Sequence, residues 1–199
     1  DTANLNGLIR LRKSRIRQLD TLFHLIAKDE YLKNGRKVYE LYELPYWDIH
    51  RFFPSDRTMQ QLKNGGNLRL IRKKNVSNAL IKYDITVRNY KEYEPLQQEM
   101  ATQINQHLDK LLDPLIIEKA TRTYAEKQLA ADTMVSRAGR MDLPSAITII
   151  KLADTDKRIL LKYIIQVKTL YLQYTRDNMT VRKLADETLA LVVKEYKIK

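Results

Sequence analysis

The sequence predicts an all-α protein, an elongated antiparallel bundle of long helices, and three observations carry the prediction. Glycine and proline number only five each in 199 residues, so few positions interrupt regular backbone. Apolar residues return every three to four positions over stretches too long for strands. The balance of 44% hydrophobic and 30% charged residues is that of a packed helical chain rather than a disordered one. A chain of this length buries a core large enough to stand without disulfides or metal, so one domain over 1–199 is expected. An irregular excursion is expected at 113–144, where Pro114, Gly139 and Pro144 break the pattern.

The first helix is predicted from Leu5 to Ala27, where Leu5, Ile9, Ile16, Leu19, Phe23 and Ile26 form a heptad-like stripe that Arg12 alone interrupts. A break is expected near Asn34-Gly35, then a short helix ending at Pro45. Ser55 reads as the cap of a helix that runs to Asn64. In the following Gly65-Gly66-Asn67, Gly65 is expected to take the left-handed conformation and Asn67 to cap a short helix over Leu68–Lys74. A phosphate-binding loop would need a preceding strand and a Lys-Ser or Lys-Thr pair, and neither occurs. Asn75 reads as the next cap, and Pro95 either kinks or divides the helical pattern over 75–112. Pro144 is expected to open a short helix over PSAITIIKL. From Asp156 to Tyr196 the register Leu160, Tyr163, Val167, Leu170, Tyr174, Val181, Leu184, Leu191 leaves open one helix or two.

Much chemistry is excluded. Without cysteine there is no disulfide framework, thiol nucleophile, iron-sulfur site or zinc-thiolate site. His24, His50 and His107 lie on separate elements, none with a ligand partner at helical spacing, so no metal is expected. No Glu-x-x-His tetrapeptide supports a di-iron bundle, and no serine has nucleophile-elbow glycines. No enzyme activity and no cofactor are expected. No internal run reaches the ~18 apolar residues of a membrane span.

Two features point outward. The segment 43–58 gathers Tyr46, Trp47, His50, Phe52 and Phe53 in one connection, either as a contact for a ligand or partner or as a hydrophobic plug at a bundle end. The net charge of +12 is spread along the chain but condenses at Arg10, Arg12, Lys13, Arg15 and Arg17 and at Arg69, Arg72, Lys73 and Lys74. Those clusters suit solvated helix faces or, as the alternative reading, phosphate contacts of a cytoplasmic nucleic-acid-binding protein.

Residues 57–84 resemble a family of uncharacterised, membrane-anchored helical proteins of Bacteroidota. The resemblance is carried by Leu62, the turn Gly65, Gly66 and Asn67, then Leu68, Leu70, Ile71, Leu80 and Tyr83, with Asp84 where the family has a second tyrosine. It implies a single transmembrane helix upstream of Asp1 and a periplasmic helical domain. The expected function is therefore a non-catalytic interaction, sensory or scaffold module of the cell envelope, with a protein partner or self-association.

Overall fold

A computed structural model describes residues 2–47, 54, 57–92, 94–119, 122, 147 and 149–197. Helices are α1 (Thr2–Ala27), α2 (Gly35–Trp47), α3 (Arg57–Asn64), α4 (Lys74–Lys91), α5 (Glu94–Leu108), α6 (described over 114–119) and α7 (Asp154–Tyr196). Two short 3-10 turns, Glu30–Leu32 and Asn67–Leu70, complete the regular structure among the described residues. The fold is all-α, with no strand among the described residues. The C-terminal pattern is one helix of 43 residues, about 65 Å long at 1.5 Å per residue.

The chain divides into two compact units. Unit 1 comprises Asp1–Ser14, His50–Leu96 and Tyr171–Lys199, and unit 2 comprises Arg15–Ile49 and Gln97–Leu170. In unit 1, α4 and α7 run antiparallel: Lys73 lies 3.2 Å from Glu195 at one end, and the rings of Tyr90 and Tyr174 meet edge to face at 6.0 Å further along. Its core holds Leu5, Leu8, Ile9, Val76, Val87, Tyr90, Tyr171, Tyr174 and Val181. In unit 2, α7 runs antiparallel to α5, through Lys110–Asp156 at 2.7 Å and His107 stacked on Tyr163 at 5.0 Å. Leu22, Ile26, Tyr31, Ile104, Leu108, Leu111, Leu112, Leu160 and Ile164 are almost wholly buried there. Removing such side chains from water is worth roughly 1.5–3 kcal/mol each before the entropy of ordering them is subtracted.

Several local readings change. α1 ends at Ala27 as expected, but Asp29, at φ 58°, is the left-handed residue, and Asn34 only donates back to the Glu30 carbonyl. Gly35 opens α2, and its need for glycine is steric: a Cβ would stand 2.6 Å from the Ile147 carbonyl oxygen. α2 continues through Pro45 to Trp47, because a proline in the last turn forfeits one hydrogen bond and leaves the turns before it intact. Pro95 divides rather than kinks: it is the second residue of α5. Asp113 caps α6, its Oδ1 accepting from the Leu115 N–H at 2.9 Å.

The helix expected over PSAITIIKL is absent in its described part, where Ile147 and 149–153 are non-helical. The β-branched run Ile147-Thr148-Ile149-Ile150 disfavours a helix. The segment instead spends its backbone groups on its neighbours, Ile150 N–H donating to the Leu111 carbonyl and Leu152 N–H to the Tyr31 hydroxyl. Ser55 and Pro144 lie outside the described residues.

Candidate interaction surfaces

The Gly-Gly turn belongs to unit 1. Gly66, not Gly65, is left-handed at φ 63°, so the left-handed residue falls one position later than expected. Asn67 is the first residue of the 3-10 turn rather than a cap, and the turn's preceding residue supplies no side-chain cap. The sequence after it extends at Ile71 instead of remaining helical to Lys74. Asn75 is likewise inside α4: its Oδ1 accepts from the Val76 N–H at 3.0 Å while its Nδ2 donates to Glu195 at 2.9 Å. The Asn75 and Lys73 hydrogen bonds hold the Glu195 carboxyl below its ordinary range. Lys63 on α3 reaches Asp84 on α4 at 3.0 Å, and Arg88 joins the same carboxylate at 2.9 Å. Leu62, Leu68 and Ile71 are half-buried along this turn, and Leu70 is 69% exposed.

The basic clusters are not uniform patches. Arg10, Lys13 and Arg17 are exposed at helical spacing along α1, but Arg12 is 3% exposed, in the place an apolar residue would hold in the stripe. Its guanidinium lies over two rings, 5.0 Å from the Tyr174 centroid and 5.9 Å from that of Tyr90. A cation stripped of water is stabilised there by the ring faces, so Arg12 is removed from any anion-binding set. Arg15 is half-buried and donates to Gln18 at 2.9 Å. Arg69, Arg72, Lys73 and Lys74 are exposed, with Lys73 tied to Glu195.

The aromatic segment divides at the edge of the described residues. Tyr46 and Trp47 lie in the last turn of α2, where the backbone alone is described, and His50, Phe52 and Phe53 lie outside the described residues. His107 packs flat on Tyr163, with Nδ1 buried and without a hydrogen-bond partner among the described residues. No group of three or more histidine, aspartate or glutamate side chains among the described residues could hold a metal ion.

Two surfaces escaped the sequence reading. A cleft of about 500 Å³ in unit 2 lies beside the start of α2, lined by Lys33, Arg36, Lys37, Glu40 and the backbone around Gly35. Arg36 and Lys37 both pair with Glu40, at 3.6 and 3.1 Å, which cancels part of its positive charge. On α7 in unit 1, Leu172, Met179 and Val193 are 48%, 51% and 41% exposed, and Leu189 beside them is 61% exposed. Leu172, Met179 and Val193 recur at multiples of seven, with Asp186 in the intervening place. Leu172 and Met179 stand one residue beyond Tyr171 and Asn178 of the inward stripe, about 100° further round the helix. The signal was present as a second heptad row, hidden by the stronger buried one.

No protein-family description, curated protein or solved structure matches this chain. No helix among the described residues is long and apolar enough to cross a membrane.

Proposed function

We propose that this chain is a non-catalytic helical interaction or scaffold module that associates through the outer face of α7, the contact being a second copy or a protein partner. The observation that carries the reading is the exposed row Leu172, Met179 and Val193, with Leu189 beside it. Apolar side chains at seven-residue spacing fit the spacing of another helix, and leaving them in water forgoes stabilisation that contact would supply. Residues 57–84 add the second part of the proposal: the module is the envelope-exposed portion of a single-pass membrane protein. The twofold change Leu172→Glu with Met179→Glu tests the first part, because neither residue belongs to the buried stripe. Sedimentation should show self-association of the unchanged chain in the micromolar range, lost in the variant at unchanged helicity. A chain that stays monomeric at high micromolar concentration overturns self-association through this face. Fractionation of cells making the natural gene product tests the second part, and its appearance in the soluble cytoplasmic fraction would refute it.

The second reading is binding of nucleic acid through Arg10, Lys13, Arg17, Arg69, Arg72 and Lys74, all of them exposed. It predicts binding to a labelled duplex or single strand that weakens steeply as salt rises, because neutralised phosphates release counterions. Binding absent at low salt removes it.

A further inference from the structure

The exposed row on α7 is broken by one charged residue, and the adjoining row carries its complement. Leu172, Met179, Asp186 and Val193 recur at seven-residue spacing, and Arg182, Leu189 and Tyr196 each stand three residues after a member of that row. All of them are exposed and lie within unit 1. Steps of three and seven keep both rows on one face of the helix, with the alternation of a coiled-coil seam. Thr175, which would begin the second row, is buried, its hydroxyl donating to the Tyr171 carbonyl at 2.6 Å, so that row starts at Arg182. At the middle of the seam Arg182 and Asp186 stand 3.6 Å apart with side chains 47% and 52% exposed, a pair that solvent screens and that contributes little to the chain's own stability.

We propose that the occupant of this face is a second copy of α7, running antiparallel about a twofold axis beside residue 184; the proposal rests on the reading that the outer face of α7 makes the association. The seam has the symmetry that such a pairing requires. Leu172 and Tyr196, Met179 and Leu189, and Arg182 and Asp186 are each equidistant from residue 184. Each therefore comes opposite the other member of its pair in the second copy, and every contact is made twice. Leu172 meets Tyr196, Met179 meets Leu189, and Asp186 meets Arg182. A parallel pairing in register would instead set Asp186 against Asp186 and Arg182 against Arg182. An antiparallel pairing shifted by one heptad would set Arg182 against Met179 or Val193, and Asp186 against Thr175 or Leu189. Charge complementarity thus selects one direction and one register, as a polar pair in an apolar seam does at some cost in affinity. Lys183, next to the axis, is brought towards its own copy, and Glu187 at 3.8 Å in the same chain offsets that charge.

Cysteine cross-linking of the whole chain reads direction and register, since the chain has no cysteine of its own. Met179→Cys and Leu189→Cys replace residues that are 51% and 61% exposed, which the fold tolerates. In the double variant the two thiols of one chain are about 15 Å apart along α7 and cannot bridge each other. Across the axis each meets the other, so the double variant should oxidise to a covalent dimer while neither single variant does. Single variants that cross-link as readily as the double one overturn the antiparallel register and leave self-association through this face standing. A double variant that sediments as a dimer but yields no covalent product also overturns the register. Charge reversal gives the second readout. Asp186→Arg should weaken association by about tenfold or more at unchanged helicity, and adding Arg182→Asp should restore it. Failure of the second change to restore association overturns the ion pairing across the axis. An unchanged chain that sediments as a monomer at high micromolar concentration overturns the second copy as occupant and leaves the face to another protein.

Discussion

Two glycine-to-alanine substitutions should move stability in opposite directions, and the difference is worked from the space around each. Gly35 opens α2 against the non-helical Ile147 and 149–153, and an added Cβ would meet the Ile147 carbonyl oxygen at 2.6 Å and Ile149 Cγ1 at 3.0 Å. The first contact is with backbone, so relief requires that the segment move, and its Ile150 and Leu152 N–H groups are tied to Leu111 and Tyr31. Overpacking of that kind costs about 1–3 kcal/mol. Alanine returns less than the ~1 kcal/mol it gains over glycine in a helix interior, because Gly35 is a terminal residue. The net loss is about 1–2 kcal/mol, which for a chain of this size lowers the thermal midpoint by about 2–8 °C. Gly7 lies inside α1 with nothing within 4 Å of its notional Cβ. There alanine should raise stability by about 0.5–1 kcal/mol, or about 1–4 °C. Paired calorimetric scans of Gly35→Ala and Gly7→Ala are the assay. A Gly35→Ala midpoint equal to or above that of the unchanged chain would refute the reasoning, since the close approach would then be carrying no constraint.

Other consequences follow from the same geometry. Tyr31→Phe removes the buried hydroxyl that accepts from the Leu152 N–H at 3.1 Å, and leaving that donor unpaired should cost about 1–3 kcal/mol in denaturant unfolding. Burial raises the Tyr83 hydroxyl above its ordinary pKa of 10.0. The folded chain therefore holds that proton longer than the unfolded chain, and the associated stability is present below pH 10 and lost as pH rises through the folded value. Tyr83→Phe should flatten the alkaline fall in stability, read by unfolding against pH. Glu195 behaves in the opposite sense: its folded pKa is depressed from 4.5, so its contribution is present above that value and lost as pH falls below it. Glu195→Gln should shallow the acid limb of the same profile, and an unchanged acid limb would remove the role assigned to Asn75 and Lys73.

Periodicity carried most of what could be read in advance. Leu5, Leu19 and Ile26 are buried as the stripe required, and α7 keeps its register through RDNMT because Asn178 and Val181 continue the inward spacing. Arg12 was visible as the interruption of the first stripe, but whether it turns outward or is buried depends on Tyr90 and Tyr174, far away in the chain. Single-residue turn assignments slipped because glycine, asparagine and aspartate all tolerate left-handed backbone, and neighbours choose among them. Thus Asp29 rather than Asn34 or Gly35, and Gly66 rather than Gly65, took positive φ. The basic clusters were legible as charge and not as surface, since sequence proximity does not say which cations share a face.

Composition and spacing alone determined that the chain is helical and that it lacks thiol chemistry, because helix periodicity and side-chain type are local properties; of the stripe read on α7, Leu160, Val167, Tyr174 and Val181 are buried, whereas Tyr163, Leu170, Leu184 and Leu191 are half-buried and Ile164 and Tyr171 turn inward beside them. Tertiary structure decided that the stripes serve two compact units, that 149–153 stays non-helical against Leu111 and Tyr31, and that Arg12 and Asn178 are both buried. Those outcomes depend on which distant backbone groups and rings come within reach, and a one-dimensional pattern does not contain that distance.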